Sequence, residues 1–130
     1  MLYVDTSAAL AIVLGEPGFE AFASAISASE SLRISAASFL EASMVAEIRA
    51  GDRGLRQFDS FIRESELTVE PVTHEHALLA REGFSKYGNG RHPAGLNFGD
   101  CFAYALAKST GEPLLFKGED FRQTDVVAAL

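Results

Sequence analysis

The residues best placed to do chemistry in this sequence are carboxylates at the junctions between predicted strands and helices. Asp5 ends an apolar run, Glu41 lies on an otherwise apolar helix face, and Asp100 opens an apolar helix. Asp120 lies in the turn after the last buried strand. In a parallel sheet such junctions share one edge, so the four acids would repel one another there. Hard divalent cations relieve that repulsion, and oxygen-only ligands favour Mg²⁺ or Mn²⁺ over Zn²⁺.

Each acid also has an ordinary structural role. Asp5 can cap the helix that follows it, and Ser38 and Glu41 have the spacing of a capping box. Asp100 can interact favourably with the dipole of its helix, and Asp120 is a common turn residue. Any one of these roles explains its residue. The functional interpretation depends on the four acids meeting at one sheet edge.

The elements that must position these acids alternate between strands and helices, which predicts an α/β fold with a mainly parallel sheet. Apolar spacing at i, i+3, i+4 and i+7 indicates helices, and Gly51 ends the third of them. The predicted strands are 2–5, 32–35, 67–72, 113–116 and a last short strand over 126–130. The predicted helices are 7–14, 18–29, 38–50, 54–65, 74–87 and 97–110.

Composition sets limits on the class of protein. The chain has 130 residues, of which 48% are hydrophobic, which predicts a single globular domain over 1–130. With only Cys101 and no signal peptide at Met1, we expect a reducing, cytoplasmic environment. No apolar run is long enough to cross a membrane. The net charge of -7 argues against a protein that coats nucleic acid through a basic surface, but not against a metal-dependent enzyme acting on nucleic acid.

Several motifs, in order along nearly the whole chain, resemble those of the PIN-domain ribonucleases. Asp5-Thr6-Ser7 stands near the start, Glu41 in mid-chain, and Asn97-Phe98-Gly99-Asp100 opens a late helix. The segment 115–121 reads Leu-Phe-Lys-Gly-Glu-Asp-Phe, and Thr124-Asp125-Val126 follows it. More narrowly, the sequence resembles a VapC-type toxin of a bacterial or archaeal toxin–antitoxin pair.

The resemblance implies a three-layer α/β/α fold of the PIN type with a sheet of four or five strands. It also implies a four-carboxylate site that binds one or two Mg²⁺ or Mn²⁺ ions. Asp5, Glu41 and Asp100 match the three most dependable acids of the family, and Asp120 matches the fourth. Asp5 and Asp100 would be the main metal ligands, with Glu41 and Asp120 as further ligands.

Other residues are assigned supporting roles by the same resemblance. Glu119 or Asp125 could share the role of the fourth acid. Thr6 or Ser7 would hold a water or a phosphate oxygen, and Asn97 would support the site or contact the substrate.

The resemblance further implies an endoribonuclease that hydrolyses RNA phosphodiester bonds and leaves 5′-phosphate and 3′-hydroxyl ends. An antitoxin protein would inhibit it, and the chain would form a homodimer and a toxin–antitoxin hetero-oligomer. Arg91 lies in a glycine-rich loop, where it either contacts RNA phosphates or is a surface residue. Lys117 either offsets the acidic charge or contacts phosphate.

Two further classes of function stay open at this point. A receiver-like phospho-acceptor domain also gathers acids and a lysine at strand ends, but the adjacent acidic pair that such domains carry is absent around Asp5. A non-catalytic binding module would keep the PIN fold without turnover. Divalent ions should raise the melting temperature only if the acids bind metal, which separates capping residues from ligands.

Overall fold

Strands and helices alternate along the chain in the computed structural model, which describes all 130 residues. The strands are β1 (Leu2–Val4), β2 (Leu32–Ser35), β3 (Thr68–Glu70) and β4 (Leu114–Leu115). The helices are α1 (Thr6–Val13), α2 (Phe19–Ala28), α3 (Ala36–Glu64), α4 (His74–Tyr87) and α5 (Phe98–Thr110). A short 3₁₀ helix, Phe121–Gln123, follows β4.

The four strands form one fully parallel sheet in the order β3-β2-β1-β4, so β1 and β2 are the inner strands. Tyr3 pairs with Arg33 of β2 on one side and with Leu114 of β4 on the other. This arrangement brings the carboxyl ends of the strands to one edge. The predicted α/β fold with a parallel sheet is confirmed, and Asp5 follows directly after the inner strand β1.

The strand predicted over 126–130 does not form, so that prediction is wrong. Its residues make one isolated parallel bridge, between Leu114 and Ala128. The Leu114 N–H donates to the Val127 carbonyl at 2.8 Å, and the Ala129 N–H donates to the Leu114 carbonyl at 3.0 Å. Because β4 is only two residues long, it offers too short an edge for a further strand.

Helices cover both faces of the sheet, which confirms the three-layer architecture. On one face α1, α2 and α3 pack around a core that includes Val4, Ile34 and Phe58. On the other face α4 and α5 pack around a second core that includes Tyr104 and Leu114. These buried side chains hold the strands, and so the residues that follow them, at fixed positions. No helix combines the length and the apolar character needed to cross a membrane.

Helix α3 is interrupted where the sequence predicts the end of a helix. Ala50 and Gly51 leave the helical conformation, and Gly51 has φ 60° and ψ -151°. This backbone conformation suits glycine, which has no Cβ to clash. The predicted break between two helices is therefore confirmed. The start differs, because Ser35 rather than Ser38 caps α3 by accepting a hydrogen bond from the Ala37 N–H.

Candidate active site

A cleft of about 280 Å³ opens beside the carboxyl end of β1, the first turns of α1 and α5, and the N-terminal half of α3. We call it the carboxylate cleft. It is lined by Asp5, Thr6, Ser7, Leu10, Glu16, Glu41, Arg49, Asp100 and Lys117. Three of the four predicted acids thus lie in one cleft, as the alternation of strands and helices requires.

Asp5 is buried at the base of the cleft and caps α1. Its Oδ2 accepts hydrogen bonds from the Ser7 N–H at 3.0 Å and from the Ser7 hydroxyl at 2.6 Å. Its Oδ1 has no hydrogen-bond partner in the protein. Burial raises the pKa of Asp5 to about 6, the hydrogen bonds from Ser7 oppose this, and the charges of Asp100 and Glu41 add to it. Asp5 is therefore both a cap and a carboxylate with one oxygen free for a ligand.

Ser7 connects Asp5 to the loop after β4. The Lys117 N–H donates to the Ser7 hydroxyl at 2.9 Å, and that hydroxyl donates to Asp5. The position of the Asp5 carboxylate is therefore fixed by α1 and by the β4 loop together. Ser7 is a positioning residue in the structure, because its hydroxyl donates to Asp5; its predicted role of holding a water or a phosphate oxygen stays a prediction.

Glu41 does not form the capping box with Ser38 that their spacing allows, so this alternative role is excluded. Because α3 begins at Ala36, Ser38 lies within its first turn and Glu41 lies further along the helix. Glu41 Oε1 instead accepts a hydrogen bond from Thr6 Oγ1 at 2.8 Å, across 35 positions of sequence. The Thr6 hydroxyl also lies 3.2 Å from the Ser38 carbonyl oxygen. Glu41 therefore has no capping role, and its carboxylate is directed into the cleft.

Gly99 makes room for the Glu41 carboxylate. A Cβ at position 99 would lie 2.8 Å from Glu41 Cδ, a separation that real side chains do not show. The glycine inside the Asn97-Phe98-Gly99-Asp100 motif thus has a steric explanation. It lets α3 and α5 bring Glu41 and Asp100 to the same cleft.

Asp100 does form the cap that its position predicts. The Asn97 side chain accepts from the Asp100 N–H at 2.9 Å, and Asp100 Oδ2 accepts from the Asn97 N–H at 3.0 Å. Burial raises the pKa of Asp100 above its usual range, the Asn97 hydrogen bond opposes this, and the charges of Glu41 and Asp120 add to it. Asp100 Oδ1 has no hydrogen-bond partner. Like Asp5, Asp100 therefore combines a capping role with a free carboxylate oxygen.

The three candidates for the fourth acid lie in different surroundings. Asp120 is exposed and does not line the cleft, but its charge reaches Asp100. The Glu119 side chain is 82% exposed, and its carboxylate lies 3.8 Å from Arg122. Asp125 accepts hydrogen bonds from the Tyr104 hydroxyl at 2.9 Å and the Lys108 ammonium at 3.0 Å, outside the cleft. Of the three, Asp120 is the acid that acts electrostatically on the site.

The acids suit a hard divalent cation in their chemistry, although they are not arranged as a closed metal cage. No group of three His, Cys, Asp or Glu side chains is placed so that it could hold a metal ion as it stands. Asp5 and Asp100 nevertheless each present an oxygen without a partner, and the pKa of each carboxyl is raised in part by neighbouring acids. An oxygen-binding cation would remove that repulsion.

Comparison with known proteins agrees with this geometry. The family model described as "PIN domain" matches residues 2–127. The chain belongs to the PIN-domain family. It is 46% identical over 127 residues to "Ribonuclease VapC" from Mycolicibacterium smegmatis, covering 98% of each chain. The resemblance noted from the sequence is thereby confirmed.

Solved structures show the same fold at low sequence identity. VapC20 from Mycobacterium tuberculosis, described as a sarcin-ricin loop cleaving toxin, aligns with a TM-score of 0.80 at 18% identity, over 98% of this chain and 97% of that one. A chain of a toxin–antitoxin complex from Klebsiella pneumoniae aligns with a TM-score of 0.69 at 17% identity, over 100% and 98%. These likenesses support the PIN fold.

Sequence reasoning missed two charged residues of this PIN-domain cleft, and besides the acids discussed above two residues predicted near the site lie outside the cleft lining. Glu16 and Arg49 line the cleft, and neither was a predicted site residue. Arg91 does not line it, since its guanidinium lies 5.4 Å from the centre of the Phe84 ring. Asn97 also lies outside the cleft lining, but it contacts the site through the two hydrogen bonds of the α5 cap that join it to Asp100. The only sequence signal for Glu16 is its place directly after the glycine that ends α1.

Proposed function

We propose that this PIN-domain chain is an endoribonuclease that hydrolyses RNA phosphodiester bonds with Mg²⁺ or Mn²⁺, and that it acts as the toxin of a toxin–antitoxin pair. The observation that carries the proposal is that Asp5, Glu41 and Asp100 lie in one cleft. No Lys or Arg side chain forms an ion pair with any of them. Relatives named as VapC ribonucleases, 46% identical in one case, support the same activity.

Each residue of the cleft then has a role. Asp5 and Asp100 would hold the divalent cation through their free oxygens, and Glu41 and Asp120 would contribute to the same site. When bound, such a cation would lower the pKa of the hydrolytic water and relieve negative charge on the phosphate. Ser7 fixes the direction of Asp5, and Thr6 fixes that of Glu41. No catalytic histidine is required.

The proposal also covers the domain organisation and the cellular location of the protein. One PIN-like domain over 1–130 performs the reaction. An intracellular RNA target implies a cytoplasmic protein, and a single free cysteine agrees with a reducing compartment.

A protein partner has a suitable surface next to the cleft. Leu40, Met44, Ile48 and Phe98 are exposed by 59%, 53%, 80% and 80%, and they line one groove together with Glu41. Contiguous exposed apolar side chains typically mark a protein contact. We place the contact with a second copy of the chain or with the antitoxin here. Ile48→Glu should abolish one of the two, and light scattering and antitoxin co-purification will show which.

Cleavage of RNA by the purified chain tests the activity. We expect cleavage with Mg²⁺ or Mn²⁺, none with a chelator, and none from Asp5→Ala or Asp100→Ala. Glu47→Gln is the matched control, since it removes an exposed acid outside the cleft. If both alanine variants cut as fast as the control, the proposed site is wrong.

Expression in cells tests the toxin assignment separately. The wild-type chain expressed alone should arrest growth, and Glu41→Gln should relieve the arrest. Glu47→Gln is the control, because Glu47 is an exposed acid on the same helix. Normal growth with abundant, active wild-type protein would exclude a toxin.

A further inference from the structure

A second charged group lies in the carboxylate cleft beside the three acids. Glu16 Oε2 binds Arg49 at 3.2 Å, and Glu16 Oε1 binds Lys117 at 3.0 Å. Each oxygen of one carboxylate therefore holds one cation, and neither cation has another ionic partner. We call Glu16, Arg49 and Lys117 the basic bridge.

The backbone fixes the position of Glu16 independently of its side chain. Gly15 has φ 64° at the end of α1, the Gly15 N–H donates to the Ile12 carbonyl, and the Glu16 N–H donates to the Ala11 carbonyl at 2.9 Å. These two bonds and the left-handed glycine form a Schellman motif. Because this motif fixes the backbone of Glu16, the Glu16 side chain starts from a defined position between Arg49 and Lys117.

The two cations are directed away from the acids and yet remain close to them. Neither Arg49 nor Lys117 is paired with Asp5, Glu41 or Asp100. The backbone of Lys117 is nevertheless two hydrogen bonds from Asp5, through the Ser7 hydroxyl. The side chains of Arg49 and Lys117 are 58% and 40% exposed, so each presents free N–H donors to solvent within the cleft.

The chemistry of these donors matches an RNA backbone phosphate. Arginine presents several N–H donors in a planar fork, and lysine presents three donors on a flexible chain. Half-exposed ion pairs contribute little stability, so an incoming phosphate can take the place of the Glu16 carboxylate. Nucleic acids bind mainly through such phosphate contacts, with counterions released into solution.

We propose that Arg49 and Lys117 bind the RNA phosphate next to the one that is cleaved, and that Glu16 competes with this phosphate for both cations. The proposal rests on the ribonuclease activity proposed above. In the absence of RNA, Glu16 keeps the two cations from pairing with Asp5 and Asp100. The acids thus remain available to a divalent cation, and Arg49 and Lys117 remain paired with Glu16 until RNA binds.

A structural alternative makes a different prediction. If the bridge only ties α1, α3 and the β4 loop together, then loss of any of its three members should weaken folding alike and leave RNA affinity unchanged. If Glu16 competes with the phosphate, removing its charge should raise RNA affinity, whereas removing the charge of Arg49 or Lys117 should lower it. The sign of the Glu16 effect therefore distinguishes the two.

The test is binding of a short single-stranded RNA oligonucleotide to the uncleaving Asp100→Asn chain, followed by fluorescence anisotropy at several salt concentrations. Arg49→Gln and Lys117→Gln should each weaken binding about threefold to tenfold and reduce the salt dependence by about one phosphate contact. Glu16→Gln should tighten binding by a similar factor. Lys86→Gln, which removes a cation paired with Glu82 on α4, is the control and should have no effect.

Two results of the binding experiment would overturn the proposal. In one, Arg49→Gln and Lys117→Gln bind RNA as the Lys86 control does; in the other, Glu16→Gln weakens binding as the two base variants do. Melting temperatures measured for all variants will show whether each is folded. A wild-type chain that never cuts RNA would refute the ribonuclease activity instead. Cleavage with an unchanged KM in the base variants would refute the phosphate site alone.

Discussion

In the acidic half of the carboxylate cleft, three carboxylates lie together with no cation of the protein bound to them, whereas in the basic half two cations share one carboxylate. Asp5 is buried, with a pKa raised to about 6, because its charge is desolvated and faces Asp100 and Glu41. Glu16 forms an ion pair through each of its two carboxylate oxygens, one with Arg49 and one with Lys117. The same cleft thus contains one unfavourable and one favourable arrangement of charge.

The difference indicates which half carries the chemistry. Carboxylates with shifted pKa values cluster at functional sites. Their destabilising effect on the fold is retained because the activity depends on them. The basic half is balanced, half-exposed and easily rearranged, which suits binding. The variants below either break this division or sharpen it.

The largest expected effect is the difference in RNA cleavage between variants of the acidic half and variants of the basic half. Asp5→Asn or Glu41→Gln should lower RNA cleavage at least about a thousandfold, because the metal site is lost. Lys117→Gln should lower kcat/KM only about threefold to tenfold, through KM. Steady-state kinetics with one RNA oligonucleotide measures both. Equal losses from both halves would contradict the division.

Stability should change in the opposite direction to activity at Asp5. Because the folded pKa lies above the ordinary 3.8, the unfolded chain releases this proton first, and wild-type stability falls as pH rises from about 4 to about 6. Asn stays neutral and caps about as well as Asp. Asp5→Asn should therefore stabilise the metal-free protein by up to about 3 kcal/mol at pH 7 and by almost nothing at pH 4. Urea unfolding in a chelator at the two pH values measures this, and a pH-independent difference would contradict the raised pKa.

Gly99→Ala should damage the acidic half through Glu41. The added methyl would lie 2.8 Å from Glu41 Cδ, so the carboxylate must move. We expect cleavage to fall by about tenfold to a hundredfold. A double-mutant cycle with Glu41→Gln isolates the mechanism, since the methyl should have little further effect once Glu41 is replaced. Additive losses would show that the glycine acts elsewhere.

Thr6→Val should have a smaller effect at the same carboxylate. The substitution keeps the shape of the side chain but removes the hydroxyl that donates to Glu41. We expect a loss of about 1–2 kcal/mol in stability and about a tenfold loss of activity. Thr6→Ser, which keeps the hydroxyl, should retain most of the activity. A serine variant as poor as the valine variant would point to packing rather than to this hydrogen bond.

The smallest effect should come from the basic half. Glu16→Gln removes two half-exposed ion pairs, and we expect a change in unfolding free energy of less than about 1 kcal/mol, which salt should reduce further. Urea unfolding at low and high salt provides the measurement. A large, salt-independent loss would show that the bridge is a structural element.

The sequence predicts the fold better than it predicts the contacts of the site. Apolar periodicity and glycine breaks locate the strands and helices, and the parallel arrangement then brings Asp5, Glu41 and Asp100 to one edge. The strand over 126–130 was wrongly predicted because apolar residues alone do not show whether a neighbouring edge is long enough to pair with. The spacing of Ser38 and Glu41 also allowed a capping box, which does not form because Ser35 caps the helix instead.

Long-range pairs account for the rest. Thr6 meets Glu41 across 35 positions, and Glu16 meets Lys117 across 101. No spacing rule connects residues that far apart, so the partners of Glu41 and the basic bridge become visible only in the folded chain. The free oxygens of Asp5 and Asp100 are likewise properties of their tertiary surroundings.

Thermal unfolding with and without Mn²⁺ at pH 7 tests the central claim most directly, for the wild-type chain and for Asp5→Asn and Asp100→Asn. A cation that binds only the folded state raises the melting temperature in proportion to the logarithm of its concentration. We predict such a rise for the wild-type chain and none for either variant. An equal rise in all three proteins, or no rise in the wild-type chain, would contradict a metal site formed by these acids.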